Sequence, residues 1–160
     1  MTASNVSGLE DNAIALDLGA GLTDVDGSEV LSVSIKGVPD GFSLSSGTRQ
    51  ADGSWSVESS ELSKVTLSAP KNFNGQVNLT VEATTTESSR GETSVVSKDF
   101  TVDIADVNDR PYEIEIDDTT IVENAEPGEV VAKLSASDVD NANLSFRVVG
   151  DNAKSLVRLY

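Results

Sequence analysis

Ser94-Val95-Val96-Ser97-Lys98-Asp99-Phe100-Thr101-Val102-Asp103-Ile104, followed after Ala105 by Asp106-Val107-Asn108-Asp109-Arg110-Pro111, decides how this chain reads. Phe100, Val102 and Ile104 put an apolar side chain at every second position, the period of a half-buried β-strand. The alternation then breaks into acids and an amide and ends on a proline. The run from Asp106 to Pro111 therefore reads as a stiffened connector crowded with oxygen donors, with a second β-like segment beyond it. Such donors suit a hard cation, and Ca²⁺ needs about six to eight of them. Six residues cannot supply that shell alone. Further carboxylates stand at Glu10-Asp11 and at Asp138-Val139-Asp140, each in a loop rather than within a strand.

Working outward, period-two patterning recurs at Ala13–Leu18, Val30–Lys36, Trp55–Val57, Val65–Ser68, Val77–Ala83 and Ser94–Ile104. Helical periodicity is hard to find. Turn-rich pieces separate the strands: Asp24-Val25-Asp26-Gly27, Pro39-Asp40-Gly41, Ala51-Asp52-Gly53, Asn74-Gly75 and Ser89-Arg90-Gly91. Short strands at this spacing predict an all-β, Greek-key β-sandwich. Its core draws on Val, Ile, Leu and Thr, with Phe42, Trp55, Phe73 and Phe100 as large anchors. A second unit begins near Pro111, with strands expected at Tyr112–Ile116, Glu129–Ser135 and Leu144–Val149, and another at Ser155–Tyr160. The expected domains are 1–107 and 108–160. About 50 residues is close to the lower limit for a domain folding without metal, disulfide or partner. The second unit thus reads as a partial β-domain completed by downstream strands or by another chain, with dimerisation through it as a consequence.

The chain has 160 residues, 11 Lys and Arg against 27 Asp and Glu, and a formal charge of −16. Nucleic acid is excluded as a partner, because phosphate binding relies on Lys and Arg. So acidic a chain repels itself unless cations neutralise part of the charge. Cys and His are both absent. That removes disulfides, thiolate or imidazole metal sites, Ser-His and Cys-His nucleophiles, and the usual general base near neutral pH. No apolar run is long enough to span a bilayer, so membrane insertion is not expected. The start Met1-Thr2-Ala3-Ser4 lacks a basic and then hydrophobic leader, as a segment cut from a longer protein would.

Residues 106–160 resemble the start of a cadherin-type repeat. The matching pieces, in order, are the linker Asp106–Pro111, the acidic turn Val122-Glu123-Asn124, the apolar strand Gly128–Ala136 and the pair Asp138-Val139-Asp140. Residues 8–105 are similar to the Ig-like and cadherin-like tandem repeats of large bacterial, RTX-type surface adhesins. That likeness is carried by Leu9-Glu10-Asp11, Leu22–Glu29, Val38-Pro39-Asp40-Gly41, Asp52-Gly53-Ser54-Trp55 and Asn72-Phe73-Asn74-Gly75. The resemblance implies a Ca²⁺ joint held by Glu10 from the first domain, Asp106, Asn108 and Asp109 from the linker, and Asp138 and Asp140 from the second. It further implies weaker, partial sites at Asp24, Asp26 and Glu87, facing a preceding repeat, and at Glu123, facing a following one. Two departures stand out. Arg110 replaces the usual Asn, and Pro70-Lys71-Asn72-Phe73 lacks the acidic element expected before the strand Val77–Ala83. An EF-hand is a poor alternative, because neither Asp24–Gly27 nor Asp138–Asn141 continues with the spacing of its twelve-residue loop.

Three functions compete on these residues. The first is a non-enzymatic extender of an extracellular adhesin, its partners being adjacent repeats of the same polypeptide. The second is a calcium-dependent module for a glycan, a peptide, a cell-surface ligand or another copy of the repeat, with Trp55 or Tyr112 stacking on a sugar; Trp55 lies in an alternating strand, which speaks for core. The third is carboxylate-pair catalysis, or an accessory role beside a secreted polysaccharide-active enzyme. A small sandwich offers little concavity for catalysis, and an enzyme is not expected.

Overall fold

The computed structural model describes residues 1–22, 27–117, 126, 130 and 132–147. Asp24, Asp26, Glu123 and the strand expected at Ser155–Tyr160 lie outside the described residues. The chain divides into two compact units, Met1–Val107 and Asn108–Tyr160.

The first unit carries eleven of the strands: β1 (Thr2–Ser4), β2 (Val6–Leu9), β3 (Ile14–Ala15), β4 (Asp17–Gly19), β5 (Glu29–Lys36), β6 (Ser43–Leu44), β7 (Thr48–Arg49), β8 (Trp55–Val57), β9 (Thr66–Ser68), β10 (Gly75–Glu87) and β11 (Thr93–Ala105). A single 3-10 turn, Leu62–Lys64, is the only helical element among the described residues. No described helix is long and apolar enough to cross a membrane.

The larger sheet has the order β2-β11-β10-β5-β8-β7, and β3-β9-β6 and β1-β4 form the others. All pairings are antiparallel except β2 on β11. Alternation along β10 buries Val77, Leu79, Val81 and Ala83, and register sets Leu79 opposite Phe100 and Val77 opposite Val102. On the other side of β10, Val81 faces Ile35 and Ala83 faces Val33. From the smaller sheets come Ala3, Ile14, Leu18, Leu44 and Leu67, which join the same buried cluster together with Leu62 and Val65. One core between sheets gives a sandwich-like architecture. Each Val, Leu, Ile or Phe side chain so removed from water contributes about 1.5–3 kcal/mol.

Several strands differ from their sequence reading. Ala13–Leu18 is broken at Leu16, where the chain changes partners: β3 pairs with β9, β4 pairs with β1, and the Leu16 N–H donates to the Val65 carbonyl at 2.9 Å. β10 runs from Gly75 to Glu87, well past its expected end at Ala83, and β11 gains one residue at each end, because cross-strand pairing continues to Thr86 and Thr93 even where the side chains are polar. Sequence patterning misses β1, β2, β6 and β7, which span two to four residues and are too short to establish a period. Phe42 and Phe100 are buried as expected, whereas Trp55 and Phe73 are only partly buried against the core.

Tight turns hold the strands in register. Gly47 adopts φ +107°, and a Cβ there would lie 2.7 Å from the Ser56 carbonyl oxygen. Gly47→Ala should lower stability by about 1–3 kcal/mol, read as a fall in the denaturant midpoint. An unchanged midpoint would show that the 46–48 turn has room to adjust. At the next turn Asp52 accepts bonds from the Ser54 hydroxyl (2.7 Å) and N–H (3.0 Å). The hydroxyl bond first, then the N–H bond, holds its carboxyl below the usual carboxylate range. A lowered folded-state pKa means that this turn's contribution is present above the ordinary carboxylate pKa and fades as pH falls through the lowered one.

In the second unit β12 (Tyr112–Ile116) pairs antiparallel with β13 (Leu134–Ser137), with a register shift near Glu113, whose φ is +50°. Of the strand expected at Glu129–Ser135, β13 covers Leu134 and Ser135, while residues 129 and 131 lie outside the described residues. Residues 144–147, expected to open a further strand, carry no strand assignment. Alternation produces a strand only where a neighbour completes the hydrogen-bond ladder.

Candidate metal centre

At one end of the first unit, Glu10 follows directly on β2. The parallel pairing of β2 with β11 sets Leu9 beside Ala105, and the Glu10 N–H extends that ladder to the Ala105 carbonyl at 2.9 Å. Glu10 is therefore locked beside the residues where β11 leaves the sheet. Its side chain is 2 % exposed. One carboxylate oxygen, Oε1, accepts the Val107 N–H at 2.8 Å. The other, Oε2, is buried with no hydrogen-bond partner. Asp106 offers a carboxylate oxygen within 4.8 Å of one from Glu10.

The loop before β10 is tied to Asp11, the neighbour of Glu10, and to Asp106. The Asn72 N–H donates to Asp11 Oδ1 at 2.9 Å, and the Asn74 side-chain amide donates to Asp106 Oδ1 at 3.1 Å. Asp11 and Asn72 both sit at φ +57°, a left-handed conformation that Asn and Asp tolerate better than other side chains. Asn72 Oδ1 is a second buried acceptor without a partner.

The second unit organises its own donors. Asp138 Oδ1 accepts the N–H groups of Asp140 (3.0 Å) and Asn141 (2.8 Å), so one of its oxygens shapes the turn. Asp140 Oδ2 accepts the Asp109 N–H. Asn108 Oδ1 accepts the Asn141 side-chain amide at 3.1 Å, while the Asn108 amide donates to the Asp109 carbonyl at 2.7 Å. Asn108 and Asp109 are thus tied to the turn carrying Asp138 and Asp140.

The expected residues fall into distinct groups. Glu10 and Asp106 come together in the first unit; Asn108, Asp109, Asp138 and Asp140 come together in the second. Glu87, at the far end of β10, accepts bonds from Ser28 and Ser89 hydroxyls at 3.3 and 2.8 Å. Sequence reading noted Asp11 beside Glu10 as a donor without placing it in the ligand set, and it passed over Asn72 and Asn74 as site residues. Their signal was present in Asn72-Phe73-Asn74-Gly75, but a search for carboxylates does not register amide oxygens or turn clamps.

The donor set is all oxygen, which fits a hard cation and no thiolate- or imidazole-seeking metal. A buried carboxylate oxygen facing no donor is the feature a cation would complete, because leaving a buried charged acceptor unpaired is costly. No family model matches the chain, and no match is found to a curated protein or to a solved structure.

Proposed function

We propose that this chain is a calcium-stiffened extender from an extracellular adhesin, with no catalytic role. The observation that carries the reading is Glu10: a carboxylate buried beside Asp106, with one oxygen on the Val107 N–H and the other without a partner. Val107 is joined by one peptide bond to Asn108, where the second unit's donors begin. In this reading Glu10, Asp106, Asn108, Asp109, Asp138 and Asp140 share Ca²⁺ at the joint. The ion supplies positive charge and fixed coordination where a connector would otherwise bend. The residues' own part is to hold their oxygens in place through the bonds described above.

The finer fold assignment, an Ig-like or cadherin-like Greek key, is supported by strand neighbours. If β3 and β4 are the two halves of one interrupted strand, the layer β1–β3/β4–β9–β6 follows the immunoglobulin A-B-E-D order, and β5–β10–β11 follows C-F-G.

Ion supply supports an extracellular setting. With Ca²⁺ near ~1 mM and a site of about 10–100 μM, binding stabilises the occupied form by about 1.4–2.7 kcal/mol. Calorimetric titration should give saturable heat with Ca²⁺ and little with Mg²⁺. Small-angle scattering should report a longer particle in Ca²⁺ than in EDTA, since the unneutralised acids repel. Absence of calcium heat together with superimposable scattering profiles would sink the proposal.

A further inference from the structure

We infer that Asn72, rather than an acid, completes the first unit's share of the cation site, its side-chain carbonyl joining Glu10 and Asp106. This deepens the calcium reading and rests on it. Two acceptor atoms of the first unit, Glu10 Oε2 and Asn72 Oδ1, are buried without partners. Two acceptors cannot satisfy each other, so both call for the same thing, a donor or a positive charge. The backbone keeps them on neighbouring segments: the Asn72 N–H is held by Asp11, the residue after Glu10. On its other flank, Asn74 is held by Asp106. Between them Phe73 anchors the loop, packing edge-on against Phe42 with ring centroids 4.9 Å apart. The left-handed φ of +57° at Asn72 is thus supported from three directions, which argues for a positioned side chain rather than a passive turn residue.

The choice of an amide has a chemical consequence. A neutral oxygen fills a coordination position without adding to the repulsion between Glu10 and Asp106. It also makes the site less anionic and weaker than a third carboxylate would, and ligand charge count is one of the quantities that tune calcium affinity. The chemistry therefore matches a cation present at high concentration.

Calorimetric Ca²⁺ titration of the full chain and two variants tests this. Asn72→Gly removes the oxygen while accepting the left-handed backbone, and should weaken Ca²⁺ binding by about tenfold. Asn72→Asp keeps an oxygen and the backbone preference and adds charge, so it should bind several-fold more tightly; this variant keeps the inference open to refutation if the glycine variant misfolds. The Asn72 side-chain amide resonances of the wild type should shift on adding Ca²⁺. Wild-type binding with both variants unchanged and the amide resonances unmoved would overturn the role of Asn72 while leaving the calcium reading intact. A wild type that binds no Ca²⁺ would overturn both.

Discussion

Glu10→Gln should weaken calcium binding by at least about tenfold while leaving the β-rich far-UV spectrum unchanged. The substitution keeps the shape of the side chain and a carbonyl oxygen for the Val107 N–H, whose bond to Glu10 is 2.8 Å. What it removes is the negative charge on a group only 2 % exposed. In chelator the same change should not destabilise the protein. It takes an uncompensated charge out of a buried position beside Asp106, and an unpaired buried charge is among the costlier features a fold can carry. The two proteins should therefore respond differently to Ca²⁺: the wild type gains thermal stability on its addition, and the variant gains little. Equal calcium affinity in the two proteins would remove Glu10 from the site.

Phe100→Ala should cost about 3–5 kcal/mol, the range for emptying an aromatic from a packed core. Phe100 is 2 % exposed, and it stands directly opposite Leu79 in the β10–β11 register. Against a total stability of about 5–15 kcal/mol for a domain, that loss is enough to bring the first unit close to unfolding at ambient temperature. Val95→Ala on the same strand, at a position 55 % exposed, serves as the control and should change stability by less than about 0.5 kcal/mol. Urea midpoints followed by circular dichroism would separate the two. Similar losses for both would mean that the inward face of β11 is not the one containing Phe100.

These outcomes concern different layers of the molecule. Core packing gives the first unit its strands, whereas the buried, unpartnered oxygen of Glu10 at its end is held at some cost. Calcium removal should accordingly be felt first at Glu10, Asp106 and the loop 70–75, and much less at Leu79, Val81 or Val102. Hydrogen exchange measured with and without EDTA would register that contrast.

Much was legible in the sequence because it depends on local geometry. Alternation at Val77, Leu79, Val81 and Ala83, and at Phe100, Val102 and Ile104, follows from the two-residue period of a strand and needs no knowledge of the partner. The oxygen-only donor chemistry likewise follows from residue types, since neither Cys nor His exists in the chain. The tertiary structure alone decided which donors lose water and which serve as clamps. Glu10 and Asp11 are adjacent acids, yet Glu10 is buried while Asp11 is exposed and holds the Asn72 N–H. The partners responsible lie far along the chain, Val107 being 97 positions from Glu10 and Asn72 being 61 from Asp11. Strand periodicity is written into a few neighbouring residues, but the burial of a polar atom depends on which distant backbone the completed sheets bring beside it.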